Sequence, residues 1–453
     1  MKFPVEVKLL RSEVSPSAKF FGKLNFTLRK TQNFTGIANF TLRIAQNFTK
    51  KAYKAVQIYP TVLKRERVHK MQTLKQRDLT GKRNSSIELL KIFGIFLIVI
   101  SHVIQTLHSS NTYLANNDYV LDLNMATANI QQLILTILRY SGSLGNILFF
   151  ICSAWFLLDN DKTSKKKMLQ MLMDVWVVSV IILAVVYILR GGNLGIKTII
   201  KQLLPTTFNN NWYITCYLLF YPLHTFLNWV IHKMDQKALL KTTLVLSVLY
   251  IFANFILPRS FFASNIILWI AAYFIMAYMK YYLVDFSNSM KANILMLVLG
   301  IAGNIALVCL TNFLGLRFGL LRGSLLRWQS FSNPFLLLTA ISMLNIARNV
   351  HFYNRAVNYI SGLSLLIYIF HENVLLRTFY RPLMWDYVYN QFGYEYILVW
   401  MLVLVAIVFG FGLIASILYK HTIQKVVTIV CNRLYPILQK IYRKIEKVIL
   451  KLH

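Results

Sequence analysis

Acidic residues are scarce in this chain, with 16 Asp and Glu against 49 Lys and Arg in 453 residues. Charged side chains of both signs together make up only 14%, while 57% of residues are apolar, a balance that excludes an ordinary soluble globular protein. Cysteine is equally sparse. Cys152, Cys216, Cys309 and Cys431 form no CxxC pair and no cluster with histidine, so free thiols are expected, with neither a disulfide framework nor a metal site. The opening MKFPVEVKLL has no adequate apolar core and no small-residue cleavage site, so it does not read as a signal peptide. No soluble module with a basic patch is present either, and the net charge of +33 therefore does not point to nucleic acid. The excess lies in tails and loops beside apolar runs, where the anionic inner leaflet is the expected counterpart.

What the chain does have is apolar runs of bilayer-spanning length. They fall near 84–108, 133–158 and 169–189, from the string NNNWYITCYLLFYPLHTFLN onward, near 238–257, 263–284, 292–313 and 333–347, through YISGLSLLIYIFHENVLLR, and near 395–419. This pattern predicts an all-α polytopic membrane bundle of about ten transmembrane helices. Lysine and arginine concentrate in the segments that an inside N-terminus would leave inside, so both termini are expected in the cytoplasm. Three regions follow. Residues 1–83 are a basic leader in which LNFTLRKTQNFT recurs as ANFTLRIAQNFT, expected to be poorly ordered and dispensable at least as far as Met71. Residues 84–420 carry the spans, and 421–453 alternate apolar pairs with Lys and Arg as a basic amphipathic tail.

The first span holds a lysine near its start and a histidine near its end. Lys91 and His102 are eleven residues apart, about three turns, so both project from nearly one face at a separation of about 16 Å. A cation in such a span is costly unless it meets a partner or a cavity, which marks Lys91 for function. The plainer alternative is that Lys91 pairs with Glu88 or reaches the headgroups, and that His102 only ends the span.

The residues around this pair resemble the acyltransferase-3 family, integral membrane enzymes that O-acylate glycans at the cell surface. That family's first-helix signature is an arginine, ten residues and a histidine; Lys91 stands at the arginine position and His102 matches. In the second span Phe149, Phe150 and Ser153 resemble an FF…SG string, with Ala154 where glycine is usual. Trp212, Tyr213 and Tyr217 resemble a WYI…Y string, although an aromatic belt would look the same. Tyr368, His371 and Glu372 resemble a late motif that ends in His-Glu.

The resemblance implies an O-acyltransferase of a bacterial plasma membrane, taking an acyl group, acetyl above all, from an acyl-CoA donor to a hydroxyl of a surface glycan, with no bound cofactor or metal. His102 is then the expected general base. His371 becomes the second candidate, and Glu372 fixes a tautomer if the fold brings it to an imidazole. Lys91, Ser153, Trp212, Tyr213 and Tyr217 are expected to line the substrates. A transporter of polysaccharide or lipid-linked sugar is the competing expectation, because intramembrane histidines also serve proton relays. A membrane scaffold using the basic tails ranks third.

Overall fold

The computed structural model of the protein describes residues 84–107, 121–257 and 264–451, and among these all regular structure is helical. The leader 1–83 lies outside the described residues.

Among the described residues, seven helices are long and apolar enough to cross a membrane. They are α1 (Ser85–Leu107), the continuous pair α2 (Ile130–Arg139) and α3 (Ser141–Leu157), α4 (Lys165–Leu189), α6 (Trp212–Lys233), α7 (Gln236–Ile256), α9 (Met290–Phe318) and α14 (Ile397–His421). Short α5 (Ile196–Leu203) precedes α6. Three segments that read as spans in the sequence fall short of this standard. α8 (Asn265–Tyr282) has 18 residues but carries four tyrosines and Lys280, and α10 (Pro334–Asn349) has 16 residues, about 24 Å of helix.

The segment 359–377 is a correction of a different kind, because it is not one helix. α11 (Arg355–Ser361) stops at Gly362, α12 (Ser364–His371) stops at Glu372, and the chain resumes through a π-turn at Leu376–Tyr380 into α13 (Arg381–Phe392). Asn373 stabilises the restart, accepting from the Leu375 N–H at 3.0 Å. Non-helical backbone inside a bundle needs protein around it, and Glu372 and Asn373 are both buried.

The buried axis of the fold is α1. Asn84 caps it by accepting from the Ser86 N–H at 2.9 Å, and the Ser85 N–H donates to the Phe352 carbonyl, which ties its start to the loop before α11. α3 lies against it with almost no gap. A Cβ on Gly145 would stand 2.4 Å from the Gly94 carbonyl oxygen, and one on Gly142 would stand 2.4 Å from Ser101 Oγ. Small residues at such a crossing let two backbones approach where lipid offers no hydrophobic drive for association.

An aromatic core holds the neighbouring helices. Phe150 of α3 meets Phe220 of α6 at 5.1 Å and Trp269 of α8 at 4.5 Å between ring centres. At the far end, α15 (Ile423–Lys451) is one continuous helix whose start packs on α4, where Gln424 and Tyr419 both donate to Asp174.

Candidate active site

Where α1 ends, two chain segments 269 positions apart bring their histidines together. His102 Nδ1 is 3.1 Å from His371 Nε2, with the rings stacked at 5.4 Å. Glu372 Oε2 stands 2.8 Å from the same Nδ1. The stop of α12 at Glu372 makes this possible, because the carboxylate turns away from its own neighbour, His371, and reaches the imidazole of α1 instead.

The protonation pattern follows from the partners. His371 Nδ1 lies 2.8 Å from the Ile367 carbonyl, which can only accept, so that nitrogen carries the proton and Nε2 of a neutral His371 is an acceptor. Both groups beside His102 Nδ1 are then acceptors, and Nδ1 is the protonated nitrogen of that ring as well. The lone pair of His102 is left on Nε2.

Two arginines that the sequence reading passed over complete the site. Arg377 contacts Glu372 Oε1 at 2.5 Å, and Arg381, only 4% exposed, lies 3.5 Å from Oε2. Arg381 also donates to the His102 carbonyl at 3.2 Å and to the His371 carbonyl, so one guanidinium staples the backbones of both histidines. Beside it, Trp385 donates to the Val103 carbonyl at 2.9 Å. The end of α1 is therefore met by donors on α13, which suits the negative end of a helix dipole. The signal for Arg381 is its place nine residues after a His-Glu pair. Arg139 hydrogen-bonds Ser101, the residue before His102.

A cation could in principle be held here, since His102, His371 and Glu372 offer ligand atoms within 4.8 Å of one another. Two of those atoms already form a hydrogen-bonded pair at 3.1 Å, and the carboxylate is paired with Arg377 and Arg381. The protein's own groups thereby partner all three side chains.

The other predicted residues divide. Tyr213 joins the site through rings: it packs on Tyr368 at 6.1 Å, and Tyr368 is edge-on to His371 at 5.8 Å. Trp212 touches Tyr213 at 5.6 Å, whereas Tyr217 stacks on Tyr221 at 5.7 Å, a turn further along α6. Ser153 donates back to the Phe149 carbonyl of its own helix at 3.0 Å. Lys91 has its Nζ 2.8 Å from Glu88, which also accepts from Ser361.

A sequence model of a family described as an acyltransferase domain matches residues 84–420, most of the chain. The chain belongs to the acyltransferase-3 family. Comparisons with curated proteins and with solved structures found no match. Family membership makes the protein a membrane acyltransferase in general terms.

Proposed function

We propose that the protein moves an acyl group, acetyl in the simplest case, from a cytoplasmic acyl-CoA-type donor to a hydroxyl of an extracytoplasmic polysaccharide or other surface glycan. The bundle crosses a bacterial plasma membrane ten times with both termini inside, α8, α10 and the broken α11–α12 segment adding to the seven long helices. In that arrangement Lys91 and His102 stand toward opposite faces.

One observation carries the reading: every neighbour of His102 Nδ1 is an acceptor, which leaves Nε2 as the free base. A neutral imidazole so held takes the proton of the acceptor hydroxyl at Nε2, and the carboxylate 2.8 Å from Nδ1 stabilises the imidazolium that forms. Because Arg377 and Arg381 compensate Glu372, the carboxylate needs no proton of its own. His371 acts as the acceptor that sets the tautomer. Lys91 guides the anionic donor as a point charge, and Trp212, Tyr213, Tyr217 and Ser153 line the path between donor and acceptor.

The test uses purified protein with labelled acetyl-CoA and an isolated surface glycan. O-acyl ester should form, and His102→Ala should lower turnover at least about hundredfold while donor binding persists. Ester formation at the unaltered rate in His102→Ala would remove the base from the mechanism. Glycan transport without any ester would mean that the protein moves sugar across the membrane instead.

A further inference from the structure

Away from the histidines, the far end of α3 gathers a second group of cations. Gly142, near the start of α3, lies against Ser101, the residue before His102, whereas Gly145 lies against Gly94. The two helices therefore run antiparallel, and the last turn of α3 stands at the end of the bundle where α1 begins and Lys91 lies. Lys280 of α8 reaches this turn. Its Nζ lies 2.5 Å from the Trp155 carbonyl and 2.6 Å from Asp159 Oδ2. The lysine side chain is 7% exposed and that of Asp159 is 52% exposed, so the acid is engaged while solvent still reaches this end of the bundle.

Arg348 of α10 arrives at the same turn and finds no acid. Its guanidinium carbon is 3.6 Å from the centre of the Trp155 ring, and its Nη1 donates to Asn345 Oδ1 at 3.3 Å. Among the described residues no carboxylate comes within ion-pair distance of it, Asp159 being taken by Lys280. Asn345 is itself fixed, because its amide nitrogen donates to Asn293 Oδ1 of α9 at 2.9 Å and so leaves the amide oxygen to Arg348. The guanidinium is thus half-buried and held against one aromatic ring and one amide. A cation in a largely apolar bundle is costly without an anion. The tryptophan face offsets part of that cost and leaves the fork of donors without a counter-charge.

We propose that Arg348, fixed on Trp155 and Asn345, binds a phosphate in the nucleotide half of the acyl donor. The assignment rests on the acyl-transfer reading above. From Gly142 to Trp155 is thirteen residues of α3, about 20 Å of helix, and this length separates Arg348 from the histidine end. An extended pantetheine arm covers a distance of that order between its thioester and the nucleotide phosphates. A donor whose thioester stands at His102 therefore brings its phosphates to the level of Trp155, and Lys91 lies at that same end of α1. A guanidinium takes two phosphate oxygens at once, and the plane of this one is set in advance by the indole, so little freedom is lost on binding. The contact is equal in the ground state and the transition state; it holds the donor and leaves the chemical step as it is.

The experiment compares two donors in the purified full-length protein with an acceptor glycan: acetyl-CoA, and acetyl-pantetheine, which carries the thioester without any phosphate. Arg348→Gln should raise the KM for acetyl-CoA about tenfold at nearly unchanged kcat, and leave turnover of acetyl-pantetheine as in the unaltered protein. Arg348→Lys keeps the charge and loses the fork. It should raise the KM for acetyl-CoA by a smaller factor, again with acetyl-pantetheine unaffected, and it carries the test if the glutamine variant fails to insert. An equal change with both donors would give Arg348 to packing, and a change seen in phosphatidylglycerol vesicles but not in phosphatidylcholine would give it to a lipid phosphate. Either result would overturn the assignment alone, as would no change with either donor. No ester from the unaltered protein with either donor, despite bound acetyl-CoA, would overturn the acyl-transfer reading and this assignment together.

Discussion

The two ends of α1 are built by different rules. At its start Lys91 finds Glu88 three residues away on the same helix, at 2.8 Å, with a fifth of the lysine side chain still exposed. At its end His102 is held by His371, Glu372 and Arg381, all from a segment about 270 positions further along the chain. The first pairing is local and would form in an isolated helix. The second exists only when α12 stops at Glu372 and α13 returns over the end of α1. The groups fixed by several partners stand at the end where α12 and α13 meet α1, and the end with a local partner leaves its cation partly exposed.

Arg381→Ala tests that contrast most severely. It removes the staple on two backbone carbonyls and leaves Glu372 with less compensation, a loss of about 3–5 kcal/mol for a broken buried pair. Thermal unfolding in detergent should drop by many degrees and ester formation should vanish; normal stability would show that α13 does not hold the site.

Glu372→Gln keeps the shape and deletes the charge. It should lower kcat about ten- to a hundredfold, because the amide no longer stabilises the imidazolium at His102, while the unfolding temperature changes less than in Arg381→Ala. An unchanged kcat would reassign the carboxylate to a structural role.

At the other end the effects should be milder. Lys91→Ala is expected to raise the KM for acyl-CoA several-fold with kcat nearly unchanged, and Lys91→Arg should restore it, since either cation can leave Glu88 for the donor's phosphates. Equal donor KM in all three proteins would make the Lys91–Glu88 pair purely structural. The smallest effect is expected from starting the chain at Met71, which should leave insertion and turnover as they are. Loss of turnover at normal expression would give the repeats of the leader a direct part in the reaction.

The sequence was enough for the class of molecule and for picking out the polar residues inside its spans. Spanning apolar runs announced a helical membrane bundle. His102, His371 and Glu372 stood out because polar residues of their kind are rare in such runs. These are local properties, set by residues within a turn or two of one another, and a linear reading reaches them.

Partnership was beyond its reach. Hydropathy runs on through 359–377 and gives no sign that the helix stops at Glu372, since a break satisfied by buried neighbours leaves the apolar content intact. That break decides that Glu372 serves His102 and not His371, and that Arg381 is buried against the backbones of both histidines. Each of these joins residues of separate helices, and only tertiary packing brings such residues within the few ångströms at which hydrogen bonds and buried charges act.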